Sequence, residues 1–174
     1  MILETPRLII RPLESGDLEA FLAYVSDEKT MHYLPEEPFN KTQAFDFISK
    51  HQGTQAEAFA LVSKDTQQLI GHFIFEKYFG DHTYEIGWVL NPKFHSQGYA
   101  TEAAKAIIQY GFEDLGLHRI VATCQPENIP SYRVMEKAGM RKEGFFKACI
   151  PTKDGWWDEY YYAILETEYF NQKL

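Results

Sequence analysis

Gly98 and the polar residues around it form the part of the sequence best suited to binding a ligand. An apolar stretch leads into Asn91, and a helical pattern follows from Tyr99. The first N–H groups of an α-helix lack partners within the helix and lie at the positive end of its dipole, which suits a phosphate or pyrophosphate. Since glycine has no Cβ, a ligand can approach the backbone at Gly98. The segment predicts an anion site at a helix start.

The helix itself is indicated by apolar residues spaced for one buried face, with Gly116 as its C-terminal stop. These residues are Ala100, Ala103, Ala104, Ile107, Ile108, Gly111, Phe112 and Leu115. The loop before it has no Gly-Lys-Ser/Thr ending and one glycine where a dinucleotide fingerprint needs three, which disfavours both nucleotide-binding classes. A lone glycine here is also compatible with a plain turn.

The remaining patterns predict strands and helices in one α+β domain over residues 1–174, with a mixed, mostly antiparallel sheet flanked by helices. The proline-containing loop 31–40 is a candidate lid. The predicted elements are a strand over 7–13, a helix over 18–25, a helix capped by Thr42, an antiparallel meander of 59–62, 69–75 and 84–90, a strand over 119–124, a helix over 130–138 ended by Gly139, and strands 141–150 and 157–165 joined through Gly155.

The composition and charge of the chain indicate which kinds of binding partner it has. The formal net charge is −8 and the isoelectric point is near 5.2, which disfavours nucleic acid and favours a cationic partner such as an amine. No export signal and no apolar run of membrane-spanning length is present, so we expect a cytoplasmic protein without a membrane partner. The two cysteines and six histidines have no metal-ligand spacing, and we expect no metal.

Three motifs in order carry a family resemblance. Residues 85–90 (EIGWVL) lead towards 98–103 (GYATEA), residues 4–12 read ETPRLIIRP, and residues 128–140 read NIPSYRVMEKAGM. Together they resemble the GCN5-related N-acetyltransferases, and residues 4–12 and 128–140 resemble the branch that acetylates the N-termini of ribosomal proteins. The resemblance implies the fold of that family and acetyl-coenzyme A (acetyl-CoA) as acyl donor.

The resemblance also implies which residues bind the donor. The pantetheine arm would pair with the end of the strand at 88–90, Asn128 would hydrogen-bond the arm, and Ser131 would assist the departing thiolate. The family usually has Gln or Arg three positions before the glycine, where this chain has His95. The implied donor-binding residues are Trp88, Val89, Leu90, His95, Ser96, Gln97, Gly98, Tyr99, Ala100, Thr101, Asn128 and Ser131.

Catalysis requires a neutral amine, a donor to the oxyanion and help for the thiolate. Ser131 and Glu85 are the candidate catalytic residues; Glu85 would act through water, with Asp158 and Glu159 as alternatives. A strand bulge would decide whether Tyr84 or Glu85 faces the acceptor. A backbone N–H near Trp88 or Val89 would bind the oxyanion. Both cysteines are expected away from the sulfur site, which favours direct transfer.

The acceptor is predicted to be a primary amine, and a peptide α-amine is favoured because its pKa is near about 8 against about 10.4 for lysine. The alternatives are a small amine, meaning a polyamine, an amino acid or an amino-sugar antibiotic, and a non-catalytic sensor of acyl-CoA. Either a monomer or a homodimer is compatible with the sequence.

Overall fold

The computed structural model describes residues 1–173. Its elements, in chain order, are β1 (Leu3–Glu4), β2 (Leu8–Pro12), α1 (Leu18–Val25), α2 (Glu28–Met31), α3 (Lys41–Lys50), β3 (Ala58–Ser63), β4 (Leu69–Phe79), β5 (Thr83–Leu90), α4 (Tyr99–Glu113), β6 (Arg119–Cys124), α5 (Ile129–Lys137), β7 (Arg141–Thr152), β8 (Gly155–Leu165) and α6 (Glu166–Asn171). No helix within these residues is long and apolar enough to cross a membrane.

The strands form one eight-stranded sheet in the order β1-β2-β3-β4-β5-β6-β8-β7. Pairing is antiparallel for β1 with β2, β2 with β3, β3 with β4, β6 with β8 and β7 with β8. β5 and β6 run parallel, and their register joins Thr83 to Arg119 and Glu85 to Val121. The prediction of a mixed, mostly antiparallel sheet flanked by helices is confirmed.

The chain divides into two compact units. The first comprises Met1–Phe75 with Trp88–Ala103, and its core lies where α1 and α3 pack on the sheet. Phe21 and Phe47 stack there with ring centroids 5.2 Å apart. The apolar spacing of both helices places these rings on their buried faces, as the sequence pattern predicts.

The second unit comprises Glu76–Gly87 and the residues from Ala104 onward. Its buried side chains include Ile107, Ile108 and Phe112 of α4, which confirms the predicted helix face, whereas Leu115 lies beyond the helix and is exposed. Gly116 adopts φ +62° after the helix ends, a backbone conformation that favours glycine.

Helix α3 begins earlier than predicted. Asn40, not Thr42, is its N-cap: the Asn40 side chain accepts from the Gln43 N–H at 3.0 Å, and the Gln43 side chain accepts from the Asn40 N–H at 2.8 Å. This reciprocal pair satisfies two N–H groups at the helix start, which a threonine two residues later cannot do. The short elements β1, α2 and α6 were not predicted because they are too brief to show periodicity.

His72 is a buried polar residue of the first core. The Tyr24 hydroxyl and His72 Nδ1 share a hydrogen bond of 2.9 Å, and the rings of Phe21 and Phe47 lie beside the imidazole. Burial, with a smaller contribution from the charge of His51, lowers the pKa of His72 to about 3. The imidazole is therefore neutral in the folded protein at physiological pH.

This burial predicts acid sensitivity of the fold. The pKa of His72 is about 6.5 in the unfolded chain and about 3 in the folded protein. Between these two pH values the unfolded chain binds one more proton than the folded protein does. The contribution of the neutral imidazole to stability is therefore complete above about pH 6.5 and is lost as the pH falls towards about 3. From pH 7 to pH 5 we expect this group to remove about 2 kcal/mol of unfolding free energy. Urea denaturation of wild type and His72→Gln at both pH values measures it.

The exposed His82 supplies the matched control, because His82→Gln removes a histidine from outside the core. The pH dependence of His82→Gln should match that of wild type, and that of His72→Gln should be shallower. Equal slopes for all three proteins would contradict the assignment to His72.

Candidate active site

The loop between β5 and α4 is held by its own side chains. Asn91 accepts from the Lys93 N–H at 3.1 Å, and the Gln97 side-chain amide donates to the Lys93 carbonyl at 3.1 Å. His95 Nε2 lies 3.0 Å from the Leu90 carbonyl oxygen. A carbonyl only accepts, so Nε2 carries the proton in this contact. His95, which replaces the usual Gln or Arg, therefore ties the loop to the end of β5.

Two left-handed residues turn the loop into the helix. Ser96 has φ +60° and Gly98 has φ +82°. The Gly98 carbonyl accepts from the Glu102 N–H at 3.0 Å, the first bond of the helix. Gly98 is exposed, while Tyr99, Ala100 and Thr101 occupy the first turn and are half-buried. The predicted anion-binding residues are thus brought together at a helix start whose outer N–H groups lack intrahelical partners.

The loop between β5 and α4 is anchored by Thr5, Arg7 and Glu102. None of the three was predicted from the sequence to be a site residue. Glu102 accepts from the Thr5 hydroxyl at 2.6 Å, from the Arg7 backbone N–H at 2.9 Å and from Arg7 Nε at 2.6 Å. Burial acts to raise the pKa of Glu102, but the hydrogen bonds from Thr5 and Arg7 outweigh it and lower the pKa. Thr5 and Arg7 fall within the 4–12 motif, yet nothing in that motif names Glu102 as their partner.

The loop and helix start fit a diphosphate. The backbone is accessible at Gly98, and a Cβ added there would lie 3.5 Å from a guanidinium nitrogen of Arg7. Positive charge, a left-handed glycine and helix N–H groups on one exposed surface are the features that bind phosphate oxygens.

The strand end predicted to pair with pantetheine is set by β4. A Cβ at Gly71 would lie 2.5 Å from the Val89 carbonyl oxygen and 2.9 Å from the Leu90 Cα. Trp88 packs on Phe73 with ring centroids 5.4 Å apart. The position of Trp88, Val89 and Leu90 therefore depends on a residue without a side chain at position 71.

Replacing Gly71 by alanine should displace the end of β5. We expect Gly71→Ala to lose about 1–3 kcal/mol of unfolding free energy, the usual cost of overpacking, because the Val89 backbone cannot yield as a flexible side chain would. Urea denaturation measures the loss. Gly16→Ala is the matched control, since among the described residues no heavy atom lies within 4 Å of a Cβ at position 16. Equal stability of the two variants would contradict the close approach.

Glu85 and Glu159 share a hydrogen-bonding partner in the second unit. The Thr123 hydroxyl donates to Glu85 at 3.3 Å and also hydrogen-bonds Glu159. Burial raises the pKa of Glu85, Thr123 lowers it, and the charges of Glu76 and Glu159 raise it further; the net shift is upward. Burial also raises the pKa of Glu159 against the opposing effect of Thr123. A raised carboxyl pKa suits a group that accepts and releases protons.

The register with β6 decides which side chains share a face. Glu85 pairs with Val121 and therefore lies on the face of Thr123, whereas Tyr84 pairs with Ile120 on the opposite face. Asp158 is engaged elsewhere: its Oδ1 accepts from the Ala148 N–H at 2.7 Å, in the irregular part of β7 where Ala148 has φ +49°. Of the three candidate carboxylates, two share Thr123 and the third binds the hairpin backbone.

Asn128 and Ser131 begin helix α5. The Asn128 side chain caps the helix by accepting from the Ser131 N–H at 3.4 Å. The Ser131 hydroxyl hydrogen-bonds the Cys124 thiol. The expectation that Cys124 lies away from Ser131 was therefore wrong, because the turn after β6 folds α5 back onto the end of that strand. Burial raises the pKa of Cys124 to about 11 and outweighs the lowering effect of the Ser131 hydroxyl, so the sulfur is a protonated thiol.

Comparison with known proteins identifies the family. The model of the acetyltransferase (GNAT) domain matches residues 7–141. An uncharacterized N-acetyltransferase of Bacillus subtilis, YnaD, is 57% identical over 169 residues, which cover 97% of this chain and 99% of that protein. The chain belongs to the GNAT acetyltransferase family, and it is an N-acetyltransferase.

Solved structures agree on the fold. The crystal structure of a GNAT-family acetyltransferase from Bacillus anthracis has a TM-score of 0.92 at 54% identity and covers 96% of this chain and 99% of that one. A spermidine N-acetyltransferase from Vibrio cholerae, solved with CoA and spermine, has a TM-score of 0.83 at 25% identity and covers 96% and 100%. The GNAT family uses acetyl-CoA, in agreement with the predicted donor.

Proposed function

We propose that this chain, as one N-acetyltransferase domain over residues 1–174, transfers the acetyl group of acetyl-CoA directly to a cationic primary amine. The observation that carries the proposal is the exposed left-handed turn at Gly98, which opens into helix α4 in a chain of the GNAT family. The donor diphosphate binds the backbone and side chains of His95, Ser96, Gln97 and Gly98 and the helix start at Tyr99, Ala100 and Thr101.

The rest of the donor binds residues that the family motif assigns. The pantetheine arm pairs with the backbone of Trp88, Val89 and Leu90, as an added strand would. Asn128 contacts the arm, and its role as the cap of α5 holds it in place. Each of these assignments carries a position of the family motif over to the matching residue of this chain.

The reaction then uses groups of this chain. Water first relays a proton from the ammonium group to Glu85, which leaves a neutral amine nitrogen. That nitrogen bonds to the acetyl carbonyl carbon, and a backbone N–H near Trp88 or Val89 donates to the oxyanion that forms. The carbon–sulfur bond then breaks as the carbonyl re-forms, and the nitrogen loses its second proton to water. The Ser131 hydroxyl, which lies beside the Cys124 thiol, donates its O–H to the leaving thiolate. Cys124 itself is a protonated thiol and takes no covalent part.

The charge around Glu85 favours a small polycation as acceptor. Glu76 and Glu159 both raise the pKa of Glu85 through their charge, and three neighbouring carboxylates together attract positive charge. The Vibrio cholerae relative crystallised with spermine supports the same class. A polyamine is therefore the first candidate acceptor.

A protein or peptide α-amine is the second candidate. The 4–12 motif resembles the ribosomal-protein branch, and an α-amine loses its proton more readily than an alkyl amine. A single charged α-amine needs fewer carboxylates than the three that interact in this cluster.

Acceptor-dependent release of free thiol from acetyl-CoA tests the proposal. Spermidine, spermine and peptides with N-terminal serine or alanine are compared at equal concentration against a blank without acceptor. We expect thiol release with the polyamines. Thiol release with the peptides alone would instead favour a peptide α-amine as acceptor, as in the branch that acetylates ribosomal proteins. Binding of acetyl-CoA without thiol release in the presence of any acceptor would favour a non-catalytic sensor of acyl-CoA.

The polyamine acceptor makes Glu159 important for acceptor affinity. Glu159→Gln should raise the KM of spermidine about tenfold, equivalent to roughly 1.4 kcal/mol of lost attraction. The matched control is Glu19→Gln, which neutralises an exposed glutamate paired with Lys41 and should leave the KM unchanged. A KM for Glu159→Gln equal to that of the control would remove the carboxylate cluster from acceptor binding.

The pH profile tests Glu85 as the proton acceptor. Only the carboxylate form accepts a proton, and its raised pKa places the acid limb of kcat above the ordinary value of 4.5. Glu85→Gln should abolish this limb. Glu159→Gln removes a like charge and should move the limb to lower pH, whereas Thr123→Val removes a stabilising hydrogen bond and should move it to higher pH. An unchanged limb in Glu85→Gln would exclude Glu85 from this role.

A further inference from the structure

Arg7 connects the start of strand β2 to the loop at Gly98. We infer that Arg7 is a positioning residue for the donor diphosphate: held by Glu102, it fixes the peptide at Gln97–Gly98 and keeps the loop in its binding conformation. The inference rests on the proposed function, because it assigns Arg7 to the donor site proposed there.

Glu102 holds the Arg7 side chain at the Nε end of its guanidinium group. Its carboxylate accepts from both the backbone N–H and Nε of Arg7, at 2.9 and 2.6 Å, and Thr5 donates a further bond at 2.6 Å. The Glu102 side chain is 16% exposed and that of Arg7 is 42% exposed. A shielded carboxylate with three donors restrains an arginine far better than an exposed ion pair does.

The other end of the guanidinium reaches the loop. Arg7 Nη1 donates to the Gln97 carbonyl oxygen at 2.9 Å, and the guanidinium carbon lies 4.4 Å from the centroid of the Tyr99 ring. In a planar trans peptide the C=O and the following N–H point in opposite directions. Holding the Gln97 carbonyl therefore fixes the direction of the Gly98 N–H, one of the groups that would meet a phosphate oxygen.

The loop needs such a restraint because of its backbone. Ser96 has a Cβ yet adopts φ +60°, a region that non-glycine residues rarely occupy, and Gly98 follows at φ +82°. A conformation of this kind persists only when its surroundings determine it. The second guanidinium nitrogen of Arg7 lies beside Gly98, 3.5 Å from where a Cβ would stand, and so places positive charge next to the turn.

The test separates the diphosphate from the rest of the donor. KM is measured for acetyl-CoA and for S-acetylpantetheine, which has the thioester and the arm but no phosphate. Arg7→Ala should raise the KM of acetyl-CoA about tenfold or more, leave kcat at saturating donor within about twofold, and leave the KM of S-acetylpantetheine unchanged. A general loss of structure would affect both donors.

Matched variants complete the test. Lys64→Ala removes a cation that pairs with Glu4 at 2.9 Å, in the same part of the sheet, and should bind acetyl-CoA as wild type does. Arg7→Lys keeps the charge but cannot bond Glu102 and Gln97 in the same fork geometry, so its KM should fall between those of wild type and Arg7→Ala. Thermal melting of each variant verifies folding, and Glu102→Gln replaces Arg7→Ala should the latter not fold.

The outcomes distinguish this inference from the proposed function. Wild type that releases no thiol from acetyl-CoA with any acceptor would overturn the proposed function. Active wild type with an unchanged acetyl-CoA KM in Arg7→Ala, or an equal rise for both donors, would overturn the role of Arg7 alone. If wild type does not use S-acetylpantetheine, the acetyl-CoA KM of Arg7→Ala against Lys64→Ala decides.

Discussion

The Glu102 carboxylate is the contact that anchors the start of helix α4 and, through Arg7, the loop before it. It lies in the first turn of α4, where a negative charge is favoured by the helix dipole, and it collects donors from Thr5 and Arg7. One group thus stabilises the helix start and joins it to the turn between β1 and β2, whose Thr5 lies 97 positions earlier in the chain. Through Arg7, which donates to the Gln97 carbonyl, this anchor reaches the left-handed backbone at Ser96 and Gly98.

The carboxylates on the sheet face of the second unit have surroundings opposite to those of Glu102. Glu85 and Glu159 are partly buried and near each other, and neither has the arginine that lowers the pKa of Glu102. The neutral hydroxyl of Thr123 is the partner that Glu85 and Glu159 have in common. A pair of acids held in this way binds protons more readily than surface glutamates do, and a cation relieves their repulsion. Hydrogen bonds thus lower the pKa of Glu102, whereas the pKa values of Glu85 and Glu159 are raised.

The predictable parts of the molecule are those with local periodicity. Strands β3 to β6 and helix α4 follow apolar spacing, and Gly98 and Gly116 mark turns because their backbone conformations require glycine. The cap at Asn40 was misplaced by two residues because Asn and Thr both cap helices and only the reciprocal bond to Gln43 selects between them. The Glu102 anchor and the contact of Ser131 with Cys124 leave no local signal, since each joins segments that only the folded chain brings together.

The different environments of the two cysteines have a practical consequence. Cys124 is buried beside Ser131 with a pKa raised to about 11, whereas Cys149, whose pKa is also raised, is exposed on β7 of the hairpin. Thiol reagents react with accessible thiolates, so alkylation of the native protein will favour Cys149. The natural chain thereby offers a single attachment point for a fluorophore or spin label on the β7–β8 hairpin, without any engineered cysteine.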